Sequence, residues 1–151
     1  MAEKEDEPEA LSGEEAVALA RKGKDAWNAW AVENKGRVVN FSGFNFTTKE
    51  NKAISFEGFM FPGDVLFSGA KVQDAGFGGA TFEGGAEFHG ATFEGDAGFG
   101  GAAFKGDARF DGATFKGDAG FGGATFKGDA GFGGATFEGD AWFDGATFKG
   151  R

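Results

Sequence analysis

The sequence predicts an all-β fold, a β-helix wound from short strands behind an α-helical N-terminal cap, and three observations carry that reading. The first is a period. Between residues 77 and 148 fourteen phenylalanines, from Phe77, Phe82, Phe88 and Phe93 to Phe137, Phe143 and Phe148, stand alternately five and six residues apart. The unit is therefore eleven residues long, and a fixed short period marks a solenoid. The second is glycine. Copies such as GATFKGDAGFG at residues 112–122 and 123–133 hold four glycines each, and each glycine costs about 1 kcal/mol inside a helix, so an eleven-residue helical supercoil is excluded. The third is the alanine two residues before each of these rings, as in Ala113-Thr114-Phe115 and Ala119-Gly120-Phe121. In an extended chain residues two apart share a face, so Ala and Phe turn inward and the residue between them turns out. A disordered Gly/Phe tract has no use for that alanine.

Glycine and Gly-Asp steps between the triplets supply the corners. At this point the chain resembles the pentapeptide-repeat proteins, whose unit is a small residue, a polar residue, a central Leu or Phe and two corner residues; Ala124-Thr125-Phe126-Lys127-Gly128 fits it. The resemblance covers roughly residues 40–151 and implies a right-handed quadrilateral β-helix with four units per coil. The departure is an extra aspartate in every second unit, Asp96, Asp107, Asp118, Asp129 and Asp140, with Gly85 once in that place. Two eleven-residue units would then close a coil of 22 residues in place of the family's 20. A flatter coil of eleven residues stays open.

Composition bounds the rest. There are 21 phenylalanines, no tyrosine and no cysteine, so one aromatic type builds the core and neither a disulfide framework nor a CxxC metal site is available. Burying a phenylalanine contributes about 1.5–3 kcal/mol, and rings stacked on rungs about 4.8 Å apart add about 0.5–1.5 kcal/mol per pair. The start MAEKEDEPEA has no apolar run, so it is not read as a secretory signal, and no stretch approaches membrane-spanning length. The expected location is cytoplasmic. Of the net charge of -9, the first fifteen residues and the repeats carry the negative share and residues 16–70 are slightly positive. No basic footprint for nucleic acid is present.

In chain order, residues 1–10 read as a disordered acidic tail and 11–36 as a helical cap. Ser12 and Glu15 form a capping-box pattern, Gly23 divides the helix and Gly36 ends it. Trp27 and Trp30 are read as a lid on the open first coil, whose edge is otherwise exposed. Residues 37–151 form the solenoid, irregular over 37–76 and regular over 77–151. In the irregular part Phe44 and Phe59 take the place of the small inward residue and call for a wider coil or a bulge. Residues 47–55 form a protruding loop, Pro62 lies at a corner, and one corner residue is missing between Val72 and Phe77, which resets the register.

Outward positions stack in columns: Glu94, Lys116 and Glu138 alternate in sign, whereas Glu83, Lys105, Lys127 and Lys149 complement one another only at the start. The corner aspartates suggest a calcium ladder, yet each corner offers one carboxylate where such a loop needs several oxygen ligands. They are read instead as accepting N–H bonds within their own turns. Thr81, Thr92, Thr114, Thr125, Thr136 and Thr147 point outward, and β-branched strand preference accounts for them better than an ice-binding face. His89 stands alone, without partners for a triad or a zinc site. Trp142 occupies an outward position held by Gly98, Gly120 and Gly131 elsewhere. The sequence stops within the repeat, so Phe137, Trp142, Phe143 and Phe148 are expected on an open last coil, which either stacks on a second copy or continues in a longer chain of which this is a piece.

No nucleophile, base, phosphate loop or cofactor motif supports catalysis. The expected function is a non-enzymatic scaffold that self-associates, as a homodimer or by end-to-end stacking, through that coil. The resemblance implies an alternative, a dimeric DNA mimic acting on DNA gyrase, and the columns leave a third, an ice-binding or filament-forming solenoid. Neither direct nucleic-acid binding nor membrane insertion is expected.

Overall fold

The computed structural model describes residues 9–51 and 54–151. Most of the expected acidic tail lies outside the described residues. From residue 37 the chain winds as a parallel β-solenoid with four sides, one sheet per side. Side 1 stacks Leu11–Ser12, Val39–Asn40, Val65–Leu66, Ala86–Glu87, Ala108–Arg109 and Ala130–Gly131. Side 2 stacks Lys71–Val72, Thr92–Phe93, Thr114–Phe115 and Thr136–Phe137, and side 3 stacks Ala75–Gly76, Ala97–Gly98, Ala119–Gly120 and Ala141–Trp142. Side 4 stacks Met60–Phe61, Thr81–Phe82, Ala103–Phe104, Thr125–Phe126 and Thr147–Phe148. Ala97 pairs with Ala119, and Phe104 with Phe126, so a coil is 22 residues and the eleven-residue alternative is settled against.

The inward triplets are the core. From Phe77 to Phe126 every phenylalanine is at most 1% exposed, and the rings form four columns, one per side. Phe99 lies 4.9 Å from Phe77 and 5.0 Å from Phe121, each pair within 2° of parallel. Across the axis the columns of sides 1 and 3 meet edge to face, Phe88 against Phe99 at 5.6 Å and 88°. Offset stacking along a column and edge contact between columns are the two arrangements the ring quadrupole favours, and a 22-residue coil provides both at once.

Two kinds of corner alternate. Between sides 1 and 2 and between sides 3 and 4 the chain turns through Phe-x-Gly-Ala, with the alanine N–H donating to the phenylalanine carbonyl, as Ala91 does to Phe88 at 3.1 Å. The glycine has φ near +70°, 62° at Gly90 and 72° at Gly123, the third position of a type II turn, where a side chain is strained. The other corners read x-Gly-Asp. There an added Cβ on Gly117 would stand 2.7 Å from the Gly95 carbonyl carbon, and one on Gly128 would stand 2.7 Å from that of Gly106. Glycine is needed at these corners for close approach between coils.

The corner aspartates correct the sequence reading. Asp96 Oδ1 accepts the N–H of Asp118, and Asp118 Oδ1 accepts that of Asp140, both at 2.9 Å. Each carboxylate therefore reaches the equivalent residue one coil on and leaves its own turn unbonded. Asp107 does the same for Asp129, and Asp64 for Gly85. The extra residue at this corner brings an extra N–H that must find an acceptor, and a short carboxylate supplies one. At the shortened corner before Phe77, Asp74 adopts φ 47° and the register is regained by Ala75, which pairs with Ala97.

The N-terminal end is closed by helices α1, Gly13–Arg21, and α2, Lys24–Glu33. They replace three sides of one coil, while Leu11–Ser12 before them is a strand, pairing in parallel with Val39–Asn40. Ser12 is the N-cap residue, yet its side chain makes no capping bond. Gly23, φ 99°, divides the two helices. Helix α2 ends at Glu33, three residues before Gly36, whose N–H donates to Pro62 at the first x-Gly-Asp corner. Phe59 fits at a small-residue position because the helices leave room below it: it stacks on Trp27 at 5.0 Å. Phe44 is half-buried against Phe46 at 4.8 Å. The loop after Phe46 is held to α1 by Arg21 Nη2, which donates to Asn51 Oδ1 at 2.6 Å.

Candidate functional site

The two ends of the solenoid differ. At the N-terminal end Trp27 is fully buried, lies over Phe59 and Phe41, and donates from Nε1 to the Met60 carbonyl at 2.9 Å. Trp30 is half-buried beside it, 5.3 Å away, under the Arg37 guanidinium. At the C-terminal end the rings are open. Phe126 is 1% exposed and Phe148, one coil on, is 47% exposed, with Trp142 at 48%. Phe132, Phe137 and Phe143 are half-buried against the core. Phe121 N–H donates to the Trp142 carbonyl, whereas among the described residues no acceptor faces the N–H of Phe143. Among the described residues the coil of residues 130–151 thus presents half-exposed rings and strand edges without a partner.

Charge is distributed by edge, which shows once the corner aspartates are added to the columns of outward residues. The edge between sides 2 and 3 carries Asp74, Glu94, Asp96, Asp118, Glu138 and Asp140 against the single base Lys116. The opposite edge carries four acids, Asp64, Glu83, Asp107 and Asp129, and four bases, Lys105, Lys127, Lys149 and Arg151. Among the described residues the charges of these edges pair as Lys116 with Glu94 at 3.4 Å, Lys105 with Glu83 at 3.2 Å, and Asp107 with Arg109 of side 1 at 3.4 Å. Among the described residues Glu138 does not complete its column with Lys116.

A model of the pentapeptide repeats, in nine copies, matches residues 56–103, 77–125 and 110–151, well over half of the chain. The chain belongs to the pentapeptide-repeat family. A search of curated proteins and a search of solved structures find no match to it. Pentapeptide repeats account for the four sides and the inward Phe; the Asp ladder is what this chain adds at two of the four corners.

On the pentapeptide-repeat solenoid the remaining candidates fall as follows. Trp142 pairs in register with Gly120 on side 3, and Gly120 has open space over it, so the indole does not fold back over the body. The threonines line sides 2 and 4; Lys71 precedes the row on side 2 and Ala103 interrupts the row on side 4. His89 sits in a turn with Nε2 2.9 Å from Glu87. Among the described residues no group of three or more His, Asp or Glu is arranged to hold a metal ion, and no helix is long and apolar enough to cross a membrane. Sequence reasoning missed a cleft of about 770 Å³ between the α1–α2 junction and the first coil, lined by Arg21, Lys24, Glu50, Glu57 and Phe59 among others. Its only sequence signal is the broken pattern over residues 47–55.

Proposed function

We propose that this chain is a non-enzymatic scaffold, a stiff pentapeptide-repeat solenoid that pairs with a second copy of itself through the coil formed by residues 130–151. The observation that carries the reading is the contrast between Phe126, 1% exposed, and Phe148, 47% exposed, at equivalent positions of adjacent coils. A rung of stacked rings is best covered by a surface of the same perimeter, and the chain itself offers one. The opposite end is already occupied by α1, α2 and Trp27, so head-to-tail stacking has no second seat. Pairing is then tail to tail and closed, the isologous arrangement, and coil-on-coil filaments are disfavoured. Trp142 beside the open rung suits an interface anchor.

The charge pattern speaks against the gyrase-directed alternative. Duplex DNA presents two continuous rows of negative charge, and this solenoid carries one acidic edge opposite one in which acids and bases balance. Sedimentation equilibrium tests the proposal. A dimer that Phe148→Asp returns to monomer, with the circular dichroism unchanged, supports it, and a monomer at every concentration removes it. DNA gyrase supercoiling is expected to be unaffected at micromolar protein.

A further inference from the structure

We infer that the cleft between the α1–α2 junction and the first coil binds a small zwitterion, a molecule that carries an ammonium and a carboxylate in the manner of an amino acid or a dipeptide. The inference stands apart from the self-association proposed above. The repeat builds flat sides, and it is most broken at this end: helices stand where strands would, residues 47–55 leave the coil, and Phe59 takes a small-residue position. A hollow of about 770 Å³ opens there, within the span of about 300–1,000 Å³ usual for small-molecule sites.

The hollow is held open from both sides. Asn28 of α2 grips the first coil, donating from Nδ2 to the Gly58 carbonyl at 3.0 Å and accepting the Met60 N–H at 2.8 Å. Arg21, the last residue of α1, donates to Oδ1 of the buried Asn51 at 2.6 Å, and the Asn51 carbonyl accepts the Ile54 N–H at 3.0 Å. Helices, loop and coil are thus tied together before any ligand arrives.

Charge of both signs lines the space in equal number. The bases Arg21 and Lys24 come from the helix junction, and the acids Glu50 and Glu57 from the loop and the coil. Gly23, the N-cap of α2, makes no side-chain cap, so the positive end of that helix adds to the two bases. Two glycines make room for these side chains: Lys24 Cδ lies 2.7 Å from where a Cβ on Gly58 would stand, and Glu57 Oε2 lies 3.0 Å from where one on Gly76 would. Among the described residues no ion pair joins either base to either acid; the contact of Arg21 is with Glu14, at 4.0 Å. A simple anion in this space meets two carboxylates, and a simple cation meets two bases. A molecule with both charges sets each beside its opposite. All four side chains reach solvent, which screens them and puts the expected dissociation constant at about 1 mM.

The test is a heteronuclear NMR titration of the full chain with L-leucine and with alanyl-leucine. Each half of leucine, isopentylamine and 4-methylpentanoate, is titrated beside them, all to about 50 mM. The expected result is saturable amide shifts at Lys24, Glu50, Glu57 and Gly58, with each half binding at least about tenfold more weakly than leucine or the dipeptide. The tighter of those two names the source. Lys24→Met keeps the alkyl chain over Gly58 and Glu57→Gln keeps the shape of the side chain, and each should weaken binding about fivefold or more. No saturable shift with either zwitterion would overturn the inference. So would a half that binds as tightly as the whole, which makes the cleft a site for one charge, or unchanged affinity in both variants, which puts the ligand elsewhere. None of these readings involves residues 130–151, so self-association is judged separately.

Discussion

Replacing Gly85 by aspartate should stabilise the solenoid, because it restores the one missing rung in the ladder of corner carboxylates. Asp64 accepts from the Gly85 N–H and Asp107 from the Asp129 N–H. Between them Gly85 has no side chain, and among the described residues no acceptor faces the Asp107 N–H. The site is open: a Cβ on Gly85 would meet Asp64 Oδ1 at 3.5 Å and the Asp107 carbonyl and Glu87 Oε2 each at 3.7 Å, ordinary contact distances, and its φ is not in the left-handed region. Gly85→Ala alone should add about 0.4–1 kcal/mol by restricting the unfolded chain. The carboxylate adds a hydrogen bond of about 1.5–3 kcal/mol, less about 0.2–1 kcal/mol for each of three like charges, Asp64 and Asp107 on neighbouring coils and Glu87 on its own. The balance is about 0.5 kcal/mol in favour of aspartate over alanine, or a rise of about 1–2 °C in a chain of this size. Urea denaturation is the assay, since guanidinium would screen the charges. Should Gly85→Asp prove no more stable than Gly85→Ala, the ladder bonds would be by-products of the corner and not a reason for its aspartate.

Two glycines three residues apart should respond oppositely to alanine. Gly117→Ala puts a Cβ 2.7 Å from the Gly95 carbonyl carbon and must spread two coils, at about 1–3 kcal/mol for overpacking, whereas Gly120→Ala enters open space and should gain about 0.5–1 kcal/mol; urea melts of the pair decide it. Phe110→Ala removes a ring stacked on Phe88 at 4.9 Å and Phe132 at 5.0 Å, and should cost about 3–5 kcal/mol, read as a lowered urea midpoint. Trp27→Ala loses the stack on Phe59 and the bond to the Met60 carbonyl. A loss of about 3–5 kcal/mol should appear first as faster amide exchange at Val39 and Phe61, in strands that pack against the cap.

What was legible in the sequence was whatever repeats. Alanine two residues before each phenylalanine is enough to place both inside, and the two corner types follow from where glycine and Gly-Asp fall. The partner of the aspartate was not legible. The N–H it satisfies belongs to a residue 22 positions away, and a reading of local turns sees only its own corner. The capping bond of Ser12 was misread for a related reason. Leu11 and Ser12 are held in a parallel pair with Val39 and Asn40, so tertiary pairing sets the helix start where a local motif was expected to. The acidic edge was only half legible: a 22-residue coil already aligns Glu94, Lys116 and Glu138, but Asp96, Asp118 and Asp140 were assigned to their own turns and so were not counted on the same line.

A repeat that placed the same groups on every rung would have no means of choosing a partner along its length, because every registry of one coil would offer the same contacts. Selectivity has to come from places where the repetition is broken. On side 3 the outward residues run Gly76, Gly98, Gly120 and then Trp142, so the indole marks one coil among four. Along the edges the charges change from coil to coil, Glu94, Lys116 and Glu138 between sides 2 and 3 and Glu83, Lys105 and Lys127 between sides 4 and 1, and Gly85 leaves one rung of the Asp ladder empty. An exposed indole, a change of charge sign along each edge and a missing ladder carboxylate are features by which another molecule can tell one coil from the next.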